Sequence, residues 1–338
     1  MNITRLRFGL FVWGLGLVAP VLAFGADTEL IAASRELRKQ WLHAWSPAWP
    51  ELVVSIVAVV LYAVRASQLG ARLPRWRALC FLTGIVVLTL ASSSPIDPIG
   101  EDGMFWVHML QHVLIGDLAA LLLVLGVTGP ILQPVLKMRW VQALHRLTHP
   151  AAAFVLWTVL LVGWHVPVAY QAALEHSWVH GIEHISFLTA GLVMWSPIIE
   201  SLPAPEWFGS GAKLLYLTGV RSIDAIVANA FWWAGTAFYP RYEVTAPIWG
   251  LDPVQDQGYA GTVMMMWTGT STLIVSALLF FRMAREGELR QDLIERGLDP
   301  VAVKRAVRYG RGEALARRHG IDLSAPVGVI RSGPSVEG

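Results

Sequence analysis

The sequence predicts an all-α integral membrane protein: a bundle of seven transmembrane helices preceded by an N-terminal signal peptide or an eighth span. Three observations predict it. Hydrophobic residues make up 55% of the chain and charged residues only 15%, with a mean hydropathy of +0.52, far from a soluble globular domain. Apolar runs long enough to cross a hydrocarbon core of about 30 Å, which takes roughly 20 helical residues, recur near 50–65, 76–94, 104–126, 151–170, 181–200, 213–238 and 258–283. Basic residues gather in alternate connections, the bias that orients helices in a bilayer.

The chain opens with Arg5 and Arg7, an apolar stretch from Phe8 to Phe24, and Ala23-Phe24-Gly25, whose small first and third residues suit signal peptidase. Residues 1–25 therefore read as a cleaved signal in preference to an eighth span. Residues 26–49 form an outer segment in which Arg35, Arg38 and Lys39 run against the charge bias, accompanied by Asp27, Glu29 and Glu36. The membrane domain fills 50–283. Its first connection holds Arg65, Arg72, Arg75 and Arg77, and its third holds Lys137, Arg139 and Arg146. Lys213 closes the next connection on that side, and these loops are cytoplasmic by the bias. The opposite loops, 95–103, 171–180 and 239–257, carry Asp97, Glu101, Asp102, Glu175, Glu243, Asp252 and Asp256 against a single basic residue, Arg241, and face outward. Residues 284–338 read as a cytoplasmic tail, Arg-rich and part helical, then disordered. Its charge, like the net +2 of the chain, suits anionic lipid headgroups and not nucleic acid.

Cys80 is the only cysteine, which excludes an intrachain disulfide and any CxxC pair. Histidine is the residue that clusters. Six of the ten, His108, His112, His165, His176, His180 and His184, fall at the outward ends of the expected spans, and imidazoles gathered on one face of a bilayer suggest a metal site. His108 and His112 share one helix face, roughly 6 and 12 Å below the helix start at 1.5 Å per residue. His180 and His184 repeat the spacing and are best placed to oppose them. His176 is a rim residue, and His165 approaches from the neighbouring helix, where Pro167 kinks or ends the span. In Met264-Met265-Met266, Met264 sits at the depth of His112. Thioether with imidazole favours Cu(I), whereas Zn more often recruits thiolate or carboxylate; ordinary core packing is the competing reading of the methionine run. Met104 and Met109 are further thioethers beside the histidine pair. Inside the spans, Asp117, Arg221 and Asp224 lie at similar depth, where an unpaired charge is costly. They are expected to form one buried network, structural glue or an ion path.

Several strings, taken in order, carry a family resemblance: Ser94-Pro95 to Asp97, His108-Met109-Leu110-Gln111-His112, Trp164-His165-Val166-Pro167 with Tyr170, His180 to Glu183-His184, Trp195-Ser196-Pro197, and Asp256-Gln257 to Ala260-Gly261 with Met266-Trp267. Together they resemble the multi-span CtaG family of bacterial cytochrome c oxidase assembly proteins, over roughly residues 50 to 283. The resemblance implies a non-enzymatic assembly factor of the bacterial inner membrane, handling or delivering copper at the periplasmic or outer face, with oxidase subunits or other copper chaperones as partners. An unrelated single-span copper chaperone shares the family's name but binds through cysteines that this chain lacks. The expected metal ligands are therefore His108, His112, His165, His180, His184 and Met264.

Two other functions compete. His180-Gly181-Ile182-Glu183-His184 spells H-x-x-E-H, the inverted zinc-protease pattern in which glutamate polarises water. The copper reading makes Glu183 a partner that orients an imidazole. Histidines on facing helices also suit axial ligation of b-type haem in an electron-transfer protein, although here they collect at one side of the membrane.

Overall fold

The computed structural model describes residues 44–45, 47–70, 73–127, 129–138, 149–201 and 205–324. The expected signal or eighth span at 1–25, most of the outer segment 26–49, the loop residues Arg72, Arg139 and Arg146, and the end of the tail lie outside the described residues. The chain is an all-α membrane protein, with no strand among the described residues. Among the described residues, six helices are long and apolar enough to span a bilayer, with Phe105–Gly126 taken as one, and seven if a bent pair counts as one span.

In chain order the helices are α1 (Trp49–Leu69), α2 (Arg75–Ser93), the short α3 (Ile96–Asp102), α4 (Phe105–Val113), α5 (Ala120–Gly126), α6 (Gly129–Leu136), α7 (Pro150–Trp164), α8 (Pro167–Glu175), α9 (Ser177–Ile199), α10 (Ser210–Trp233), α11 (Pro240–Thr245), α12 (Pro253–Glu295), α13 (Pro300–Arg308) and α14 (Gly312–Arg318). They divide into two compact units, one of Met1–Ala204 with Tyr216–Ile274, the other of Pro205–Leu215 with Val275–Gly338.

The first unit is built around one span. Residues Phe105–Gly126 run as α4, a stretch of wider π winding at Leu114–Ala119, and α5. Of this span's apolar window 78% is buried, against 11% for α1, whose Val53, Val54, Ile56 and Leu61 are exposed as a lipid-facing surface would be. α2 and α9 flank the central span. α9 meets it at Gly191, which rests against the Gly116 carbonyl with no space for a side chain. Small residues at such contacts let membrane helices approach closely. The wider winding, which often marks a functional position, falls between the levels of His112 and Ala120.

The boundaries depart from the sequence expectation in four places. The loop expected at 95–103 contains α3. The fourth span ends at Trp164 instead of 170, and the chain bends by 70° into α8. The cause is Pro167: it holds Val166 extended (φ −67°, ψ 130°) and then occupies the first turn of the new helix, where its missing N–H costs nothing. The region 239–257 contains α11, a 3-10 turn at Ala246–Trp249 and the start of α12, five residues earlier than expected. At its far end α12 continues to Glu295, supported by i,i+4 pairs such as Arg282 with Glu286 and Gln291 with Glu295.

The second unit has its own small core. Val303 and Val307, one turn apart on α13, pack with Leu293 and Ala316, and Leu289, Leu298 and Leu315 border them. Asp299 caps α13 by accepting from the Ala302 amide at 2.7 Å. The helical part of the expected tail is thus a folded element.

Candidate metal centre

α4 presents His108 and His112 one turn apart, and α9 presents His180 and His184 in the same way. Each offers a ring nitrogen such that the four atoms lie within 4.8 Å of one another, and all four residues are buried. Ring centroids are 4.3 Å apart for His108 and His112, 4.1 Å for His180 and His184, and 5.1 and 5.6 Å across the helices. The four rings therefore stand as one compact group across the two helices. Nε2 of His108, His180 and His184 and both nitrogens of His112 have no hydrogen-bond partner among the described residues. Buried polar atoms are rarely left so.

The other side of His108 is fully engaged. Its Nδ1 lies 2.8 Å from the Tyr170 hydroxyl and 2.9 Å from that of Tyr242. Tyr242 donates its own proton to the Gly100 carbonyl at 2.7 Å, so its oxygen is an acceptor here. The arrangement that satisfies every group has Nδ1–H donating to the tyrosines and Tyr170 donating to Tyr242 over 3.3 Å. That tautomer turns the Nε2 lone pair toward the other imidazoles, as an outer partner does for a metal-ligating histidine.

Two carboxylates touch the group. Glu183 is wholly buried, with Oε2 3.7 Å from His112 Nε2 and neither oxygen hydrogen-bonded among the described residues. Glu101 on α3, one quarter exposed, stands 3.8 Å from His180 Nδ1. Burial, with the neighbouring charges of Asp97 and Asp102 adding to it, pushes the Glu101 carboxyl up to about 7. Burial likewise raises Asp97 to about 6, although Gln111 donates to it at 2.6 Å and opposes the shift. It also pushes the Tyr242 hydroxyl well above the ordinary phenol range, so it stays a proton donor.

The remaining expected ligands stand apart from the four-histidine group. His165, at the α7–α8 bend, has Nδ1 2.6 Å from the Leu161 carbonyl and Nε2 3.4 Å from the Met109 sulfur. Met264 is buried in an aromatic cluster with Phe105, Tyr170 and Phe231, while Met265 is exposed. His165, Met264, Met109 and His112 line a common cavity of about 40 Å³. His176 is exposed, its ring stacked near Trp178, and Met104 is buried beside Ile99 and Val107.

Asp117, Arg221 and Asp224 are in contact. Arg221 Nη1 donates to Asp117 Oδ2 at 2.5 Å and Asp224 Oδ2 at 2.7 Å, and Nη2 donates to Asp117 Oδ1 at 2.9 Å. Trp195 and Trp157 supply one indole N–H each, to Asp117 at 2.9 Å and Asp224 at 2.7 Å. Both carboxylates also border the cavity.

Sequence reasoning missed several of these supports. Asp256, read as an outer-loop acid, is buried and accepts from the Phe105 and Trp106 amides at 2.8 and 3.1 Å, capping α4 from 150 residues away. The signal for it was an acid just ahead of an apolar run. Tyr242 carried none beyond its place in an aromatic-rich connection. Glu101 was noted only as loop charge.

Residues 56–286 match the family model for cytochrome c oxidase caa3 assembly factor (Caa3_CtaG). The chain belongs to this CtaG family. No curated protein and no solved structure matches the chain. The stretch shared with the CtaG family contains the four histidines, Glu183 and the Asp117–Arg221–Asp224 network, and excludes α13 and α14. Membership makes this a cytochrome c oxidase assembly factor.

Proposed function

We propose that the protein serves oxidase assembly by binding copper through His108, His112, His180 and His184 and passing it to an oxidase subunit or a copper chaperone. The observation that carries this reading is the convergence of four buried imidazoles with their ligand atoms within 4.8 Å. Imidazole is a good ligand for copper. Glu183 offsets part of a bound cation's charge, and Tyr170 and Tyr242 hold His108 in the ligating tautomer. Glu101, 3.8 Å from His180 Nδ1, lies on α3 with Asp97 and Asp102, and an acidic helix beside the group raises the local concentration of cations. In this reading the histidine-bearing end faces outward. Asp97, Glu101, Asp102, Glu243 and Asp252 lie at that end, whereas Arg65, Arg75, Arg77 and Lys137 lie at the other, and the positive end stays inside. The second unit, with its Arg-rich helices, is then cytoplasmic.

The test is elemental analysis of detergent-purified protein, with His108→Ala/His112→Ala and His180→Ala/His184→Ala variants, alongside the copper content of the oxidase in cells carrying each. The reading expects copper at this centre in stoichiometric amount, lost from the centre in both variants, together with a copper-deficient oxidase. Protein that stays metal-free in copper-supplemented, reducing buffer overturns it, as does bound zinc with unaltered oxidase.

A further inference from the structure

The cavity beside the histidine group has a chemistry of its own. The Leu161 carbonyl can only accept, so His165 Nδ1, 2.6 Å away, carries the ring proton. Nε2 of the neutral ring then presents a lone pair, and what it faces at 3.4 Å is the Met109 sulfur, which also carries lone pairs and no proton. Neither atom satisfies the other. A nitrogen and a sulfur bound to one tetrahedral ion, with bonds of about 2.05 and 2.3 Å, are about 3.6 Å apart. The pair is therefore spaced as two ligands of a single ion.

The rest of the cavity wall agrees. Met264 adds a second thioether residue, and His112, both of whose nitrogens lack a hydrogen-bond partner among the described residues, closes the side toward the histidine group. Asp117 and Asp224 border the same space. Soft thioether and imidazole donors around a volume of about 40 Å³ describe a site for a soft cation.

We propose that Met109, His112, His165 and Met264 form a second metal site, for Cu(I), adjoining the four-histidine centre through His112. The proposal rests on the copper reading above for the identity of the metal, and it adds a separate site of different ligand character. His112 belongs to the walls of both, so it is the point at which an ion would pass between them.

Full-length protein in detergent, loaded with Cu(I) under anaerobic conditions, is examined for stoichiometry and by X-ray absorption at the copper edge. Wild type is expected to hold two copper ions with sulfur scattering in the average coordination shell. Met109→Leu/Met264→Leu halves the copper and removes the sulfur, and His180→Ala/His184→Ala halves the copper but keeps it. Copper bound by wild type without sulfur neighbours, a result that needs no variant to fold, overturns this inference and leaves the four-histidine reading standing. Sulfur-bound copper that survives in full in Met109→Leu/Met264→Leu overturns it too. A chain that binds no copper at all overturns both.

Discussion

A Cβ placed on Gly191 would fall 1.8 Å from the carbonyl oxygen of Gly116. The two helices that carry the paired histidines are therefore in backbone contact one to two turns below the centre, and no side chain fits between them there. Because the obstruction is backbone, it cannot be relieved by a rotamer change.

Gly191→Ala is expected to push α9 off the central span. The cost is about 3 kcal/mol, the upper range for overpacking, and His180 and His184 move away from His108 and His112. Thermal unfolding in detergent measures the first effect. Retention of wild-type copper stoichiometry and wild-type stability would show that the contact is dispensable.

Removing the guanidinium from its two buried carboxylates leaves charge stranded. Arg221→Leu should destabilise the protein by about 3–5 kcal/mol. The triple variant Asp117→Asn/Arg221→Leu/Asp224→Asn, which has no charge left to strand, should recover most of that loss. Unfolding midpoints of the two variants distinguish a charge-balance role from simple packing, under which both would fall equally.

Tyr242 holds His108 by one oxygen and Gly100 by the proton on that oxygen. Tyr242→Phe deletes both links while keeping the ring among Phe105 and Tyr170. The expected result is a copper affinity weaker by about 10- to 100-fold, the usual effect of losing an outer partner of a metal-ligating histidine. Competition against a copper chelator reads it directly, and an unchanged affinity would mean that Tyr170 alone orients the ring.

Asp97 gives the metal-free protein a pH dependence whose sign follows from its carboxyl standing near 6 when folded, against an ordinary 3.8. Between about pH 4 and pH 6 the unfolded chain has already released this proton while the folded chain retains it. Stability from this group therefore falls as pH rises through that window. Asp97→Asn keeps an acceptor for Gln111 and cannot titrate. Its unfolding midpoint should climb relative to wild type between pH 4 and pH 6, then run parallel above. Curves parallel throughout would show that Asp97 does not titrate there.

The membrane fold and the two histidine pairs were legible because each is a local pattern. Twenty apolar residues, or an imidazole every fourth position, can be read within one helix. Depth counting along separate spans was enough to group Asp117 with Arg221 and Asp224. What was not legible depends on tertiary contact across the chain. Asp256 caps a helix that begins 150 residues earlier, and Tyr242 meets a histidine 134 residues away. No local period encodes either. Met264 shares a cavity with His112, but depth counting says nothing of azimuth, and its side chain packs among Phe105, Tyr170 and Phe231 outside the four-histidine group. Glu101 was invisible as a neighbour of His180 because α3 was read as loop.

The orphaned atoms of the centre have a thermodynamic meaning beyond ligation. Five imidazole nitrogens and both oxygens of Glu183 are withdrawn from water without replacement partners among the described residues, a burden the unfolded chain does not bear. An ion that those atoms accept only in the folded arrangement turns that burden into stabilisation, by a margin that grows with its concentration over Kd. With copper bound as proposed, filled and empty molecules would differ in durability, and the lifetime of this protein in its membrane would gauge metal supply.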